Sequence, residues 1–167
     1  MSYRNRTYVI FDGDEDIWAY KFMRGWKANE HIDFDFHDAH DINELRDGSS
    51  EEVVKRKLRE RLAYTKQAIV LVGEKTKNLY QYVRWEIDVC LEKGIPIVVV
   101  NLNGGTRLDA DLCPAILKGE CVVHVPFKLK AIQHALDNFC PSLSTYQQKQ
   151  WKDLHYPDTF YANMETA

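Results

Sequence analysis

Two unbroken apolar runs, Ala68-Ile69-Val70-Leu71-Val72 and Ile97-Val98-Val99-Val100, constrain this chain more than any other feature. A strand with one wet face alternates apolar and polar side chains. A strand that is apolar throughout is buried on both faces, as in the middle of a parallel sheet. Parallel neighbours need a crossover connection, normally a helix. The segment between the runs supplies one. Leu79 to Lys93 places Leu79, Val83, Ile87 and Cys90 on one stripe, and Gly94 stands where a helix C-cap belongs. Pro96 is tolerable at the start of the strand that follows.

Other segments repeat the pattern. Tyr8-Val9-Ile10-Phe11 reads as a buried strand that stops at Asp12-Gly13-Asp14, and Cys121 to Val125 as another. Ile32 to Phe36 alternates, as an edge strand does. Helices are expected over Asp16 to Trp26, with Trp18, Phe22 and Trp26 as the apolar face, and over Phe127 to Phe139, ended by Pro141. A third follows a capping box of Ser49 with Glu52, and buries Val54, Leu58 and Leu62. Strands alternating with helices predict an α/β protein, a doubly wound open sheet of about five parallel strands with flanking helices. We divide it into an α/β domain over 1–141 and an extension over 142–167. The extension is expected to form a helix near Tyr146 to Leu154 and then an irregular tail, its aromatic residues packing on the domain or on a neighbour.

Hydrophobic residues at 45% are enough for a core, and a net charge of −3 gives no general reason to expect nucleic acid or an anionic membrane as partner. The run Lys55-Arg56-Lys57-Leu58-Arg59-Glu60-Arg61 reads as the wet face of its helix. No stretch has the roughly 18 apolar residues of a membrane span. Met1 to Arg6 leads straight into a strand and does not read as a signal peptide. Cys90, Cys113, Cys121 and Cys140 are scattered, with no CxxC pair, so neither disulfides nor a zinc site is expected, and the compartment is read as cytoplasm.

In open α/β sheets ligands bind at the carboxyl ends of strands. Neither GxGxxG nor GxxxxGK[ST] is present, which excludes the common phosphate loops. Asp12, Asp14, Glu15 and Asp16 could hold Mg²⁺ as in a phospho-acceptor receiver. The third-strand position that a receiver needs as aspartate reads Val72-Gly73-Glu74-Lys75, so helix capping is the better account of the acidic run. His37-Asp38-Ala39-His40-Asp41 could bind a metal if helical, but no third strong ligand stands nearby in sequence, and a solvated loop is preferred. Glu86 lies four residues from both Tyr82 and Cys90, on the edge of the apolar stripe, while Arg84, Asp88 and Glu92 point away. A carboxylate there is costly unless it snorkels out, is partnered, or lies in a cleft.

Four stretches together resemble the prokaryotic TIR-like domains, closest to the ThsB proteins of the Thoeris anti-phage system. They are Tyr8 to Asp16, Val70-Leu71-Val72-Gly73-Glu74-Lys75-Thr76, Tyr82-Val83-Arg84-Trp85-Glu86-Ile87, and Gly94-Ile95-Pro96-Ile97. The resemblance covers about residues 6 to 140 and implies a flavodoxin-like, TIR-like sheet. It implies cleavage of the N-glycosidic bond of NAD⁺, with NAD⁺ as substrate and no separate cofactor or metal. The expected product is a cyclic ADP-ribose-type signal acting on a separate effector, and the expected active form is a homo-oligomer. Glu86 matches the family's catalytic glutamate. Phe11, Asp12 and Asp14 match the turn after the first strand, and Phe36 and Asp38 the end of the second. Tyr82 stands where the family usually has Trp, and His40 where a small polar residue is expected. Trp85 is assigned to packing or an interface.

Two other readings stay open. The fold also serves non-catalytic modules that act by self-association or by docking a partner. A glycosyl transferase that uses a glutamate on ribose is disfavoured by the "LVG" and "VRWEI" features.

Overall fold

The structure, a computed structural model, describes residues 6–29 and 50–165. Its elements run β1 (Thr7–Ile10), α1 (Ile17–Ala28), α2 (Glu51–Arg61), β2 (Gln67–Val72), α3 (Tyr82–Glu92), β3 (Ile97–Asn101), β4 (Val123–Pro126), α4 (Leu129–Asn138), α5 (Leu143–Gln148), β5 (Leu154–His155) and α6 (Asp158–Glu165). The expected strand at Ile32–Phe36, the loop from His37 to Gly48, and the site candidates Phe36 and Asp38 lie outside the described residues.

The strands pair in parallel in the order β1-β2-β3-β4-β5. Register explains the two layers. Val9, Ile69, Val98 and Val123 stand side by side and bury against α1 and α4. One residue on, Ile10, Val70 and Val99 face α2 and α3. Every described residue of β1 to β4 is buried, as runs that are apolar on both faces require. Each fully buried aliphatic side chain contributes roughly 1.5–3 kcal/mol of transfer free energy. This is the expected doubly wound, flavodoxin-like α/β sheet with helices on both faces.

Several local expectations change. In α1 the buried residues are Ala19, Tyr20 and Met23, whereas Trp18 is 47% and Phe22 61% exposed. Trp18 and Phe22 lie toward solvent, Trp26 is half-buried against the core, and all three meet Phe127 through ring contacts of 5.7, 6.5 and 5.1 Å. The smaller stripe fits closely on the sheet, and the bulky one does not. The helix α2 is capped by Ser50, whose hydroxyl accepts from the Val53 N–H at 3.4 Å, while the expected cap Ser49 lies outside the described residues. Its basic face is partly engaged, since Lys55 pairs with Asp88 and Arg59 with Glu92 across to α3. The helix α3 begins at Tyr82, three residues later than expected, and Gly94 closes it with φ +67°, the conformation glycine adopts freely.

The segment after residue 142 is neither one helix over Tyr146–Leu154 nor an irregular tail. It forms α5, ends that helix at Gln148, supplies β5 and finishes in α6. Leu154 pairs with Val123 and His155 with His124. The connection is held by Asp153. Its backbone N–H donates to the Glu120 carbonyl at 3.0 Å, and its carboxylate takes the Gly119 N–H at 3.0 Å and His124 Nε2 at 3.2 Å. Tyr146 stacks between Phe139 and Trp151, at centroid distances of 5.6 Å on each side.

Candidate functional site

The cavity lies where the carboxyl ends of β1 and β2 meet the start of α3. Beyond Ile10 the chain turns sharply. The Asp12 carboxylate accepts from the N–H groups of Asp14 at 3.0 Å and Glu15 at 3.3 Å, and its carbonyl accepts from Asp16 N–H at 2.9 Å. Asp12 is therefore committed, at least through Oδ1, to shaping its own turn.

Asp16 stands at the N-cap of α1 but makes no side-chain bond to that helix. Its carboxylate faces Thr76 instead, whose hydroxyl lies 3.3 Å from Oδ2. Burial raises the pKa of Asp16. The Thr76 hydroxyl also accepts the Gly73 N–H at 2.9 Å. Capping by the acidic run is thus replaced by a lace between the loops after β1 and β2. Glu15 completes it from outside through Lys75, at 2.7 Å.

The cavity has a volume of about 650 Å³. Phe11, Asp12, Gly13 and Asp14 form one wall; residues Asn78 to Val83 and Glu86 form the other. Glu86 is 3% exposed, and its Oε1 accepts a 2.8 Å hydrogen bond from the Tyr8 hydroxyl. Burial pushes the Glu86 carboxyl up to about 8, against the opposing pull of that hydrogen bond and of the Arg61 guanidinium. The Tyr8 phenol is raised well above its ordinary value, first by burial and then by Glu86. Cys90, one turn further along α3, is raised by the same two causes and remains a thiol.

Of the expected site residues, the structure brings Phe11, Asp12, Asp14, Tyr82 and Glu86 to this cavity. Phe11 is 3% exposed and stacks on Tyr20 with centroids 4.7 Å apart, so one ring face is already covered. Tyr82 meets Trp85 edge to face at 5.5 Å, and Trp85 packs on the α2–α3 layer. Sequence reasoning missed Tyr8 as the partner of Glu86, and Thr76 as the partner of Asp16, which reads in the sequence as a helix cap. For Tyr8 a signal existed: a phenol inside an aliphatic strand needs a buried partner for its hydroxyl. Ala68 stands beside it in register, and its small side chain leaves room for the ring to reach α3. Among the described residues no group of three His, Cys, Asp or Glu is arranged to hold a metal ion. None of their helices is long and apolar enough to cross a membrane.

A parallel five-stranded sheet, a cavity at its carboxyl edge, and a buried glutamate on the helix after β2 together define a TIR-like α/β domain. The family described as Thoeris protein ThsB, TIR-like domain, matches residues 8–107, a span that takes in every described residue lining the cavity. The chain belongs to that family, and is a defence-related TIR-like protein.

Proposed function

We propose that this protein cleaves NAD⁺ at the bond between nicotinamide and ribose and forms a cyclic ADP-ribose-type signal in anti-phage defence. The observation that carries the reading is Glu86: a carboxylate buried at a cavity wall and held by Tyr8, in a chain of this family. The C1′–N bond breaks with its electron pair going to the nicotinamide nitrogen, which leaves as neutral nicotinamide. Positive charge then spreads over C1′ and the ribose ring oxygen. An ionised Glu86 stabilises that charge, strongly so where water is excluded. A nucleophilic atom of the ADP-ribose part attacks C1′ and closes the ring, and any proton it carries passes to solvent or to the carboxylate. Water attacking instead gives ADP-ribose. Tyr82 supplies aromatic surface beside the leaving group, with Phe11 buried in the facing wall and Asp14 at the rim of the cavity. The reading also includes a cytoplasmic location, a homo-oligomer as the active form, and a separate effector that receives the product.

A second reading, an interaction module without catalysis, is favoured by the exposed row of Trp18 and Phe22 on α1. One experiment separates the two. The purified protein and Glu86→Gln are incubated with NAD⁺, and cells expressing each are extracted with and without phage. Nicotinamide and ADP-ribose products are followed by chromatography with mass detection. Products that form with the parent chain and vanish in the variant support the enzyme. No turnover in any arm, with both chains folded, moves the reading to the interaction module.

A further inference from the structure

The geometry points to Tyr8 as the positioning residue of this site: its hydroxyl holds Oε1 of Glu86 and so fixes which oxygen, and which ionic form, the carboxylate presents to the cavity. The role rests on the NAD⁺-cleaving reading of Glu86. It begins with placement. Tyr8 and Glu86 lie 78 residues apart in sequence, yet their oxygens are 2.8 Å apart with both residues buried. Tyr8 is on β1 and Glu86 on the helix packed against that face of the sheet, so neither can move without repacking the α2–α3 layer.

The hydrogen bond has two consequences. A phenol donating to Oε1 leaves Oε2 for whatever occupies the cavity that Glu86 lines. A donor also favours the charged form of a carboxylate, against the burial that disfavours it. The other titratable or charged groups near Glu86 do not replace it. Arg61 acts as a cation from the α2 side; Cys90 stays a neutral thiol; Asp12 and Asp14 across the cavity are acidic; Tyr82 lies one turn away on the same helix. Tyr8 is the donor that the structure aims at this carboxylate.

The test is Tyr8→Phe, which keeps the ring and removes the hydroxyl. The acid limb of kcat/KM for NAD⁺ is measured in the parent chain and in the variant. We expect the limb to move to higher pH by about one to two units, the size of a hydrogen bond to a charged group. Activity near neutral pH falls about tenfold or more and is recovered in alkaline buffer. A readout without turnover runs in parallel: carbon-13 NMR of chains labelled at the glutamate side-chain carboxyl, with Glu86→Gln identifying the Glu86 resonance. Its titration midpoint should rise in Tyr8→Phe. An unmoved limb and an unmoved midpoint in a folded variant would overturn the role. If the parent chain does not turn over NAD⁺, the midpoint still decides whether Tyr8 sets the ionic form of Glu86, so failure of the enzymatic reading is told apart from failure of this one.

Discussion

A β-carbon built on Gly73 would lie 2.3 Å from an Asp16 carboxylate oxygen. No real side chain tolerates that distance, so the glycine after β2 is there to let the acid of the β1 loop sit against it. Gly73 has no positive φ to satisfy; its requirement is steric. Asp16 is in turn met by Thr76, whose hydroxyl also receives the Gly73 N–H. The "LVGxxT" stretch thus has a physical meaning. It lets the loops after β1 and β2 close on each other beside the cavity.

Gly73→Ala should therefore destabilise the fold by about 1–3 kcal/mol, the usual cost of forcing a methyl into a filled space. Thr76→Val should cost a similar amount, roughly 1–3 kcal/mol, because a buried carboxylate loses its partner. Urea unfolding followed by circular dichroism measures both. Since both changes act on the same carboxylate, the double variant should fall short of the sum. Strict additivity would show that the lace is not one unit.

The raised pKa of Glu86 makes stability depend on pH, in a known direction. Well below 4.5 the carboxyl holds its proton in both states and adds no slope. Between 4.5 and about 8 the folded chain keeps a proton that the unfolded chain has released. Rising pH then favours unfolding, by about 1.4 kcal/mol for each pH unit across that window. Glu86→Gln removes the slope. Its stability relative to the parent chain should therefore improve from about pH 4.5 to about pH 8 and level off above, read by denaturant midpoints. A relative stability that stays flat would place the folded pKa of Glu86 near its ordinary value.

Most of the sheet was legible because its strands carry information in every residue. The runs at 68–72 and 97–100 read as strands buried on both faces, and Glu86 stood out as a charge on the edge of an apolar stripe. What escaped was decided by distant partners. The strand β5 is two residues long and has no apolar run; it pairs because Asp153 bonds Glu120, Gly119 and His124. Tyr8 read as one more strand residue because its partner lies on α3. Phe36 and Asp38, expected at the site, fall outside the described residues, so their part in it is still an expectation.

The helix α1 shows how periodicity can choose the wrong face. Two stripes fit a period of 3.6: Trp18-Phe22-Trp26, which is heavier, and Ala19-Tyr20-Met23, which is buried. Met23 is fully buried, so Met23→Ala should cost about 2–5 kcal/mol. Phe22→Ala, at 61% exposure, should cost less than about 1 kcal/mol and should reduce any concentration-dependent self-association. Thermal melts rank the two costs, and sedimentation velocity of Phe22→Ala reports on association. A large loss on Phe22→Ala with little on Met23→Ala would reverse the assignment of the faces.

The last prediction concerns Asp153, which carries the end of the chain back to the sheet. Its φ of +44° is unusual for a side chain other than glycine, so the backbone there is held by its contacts. Oδ2 takes the Gly119 N–H, and Oδ1 takes Nε2 of His124, a ring with no exposed surface. Nδ1 of that ring has no hydrogen-bond partner among the described residues, so Asp153 carries the whole polar satisfaction of the imidazole. Burial lowers the pKa of His124 even with the carboxylate beside it, and the ring is neutral near pH 7. Asp153→Ala would leave a buried N–H without an acceptor and release the turn before β5. We expect a loss of about 1–3 kcal/mol. In hydrogen exchange, the Leu154 amide should open before those of β2, because that amide bonds the Val122 carbonyl just beyond the turn Asp153 holds. Asp153→Asn should lose less, since its side-chain oxygen can still accept from either donor. If Asp153→Ala melts with the parent chain and protects Leu154 equally, β5 is held by its two ladder residues and by α6, and Asp153 is incidental.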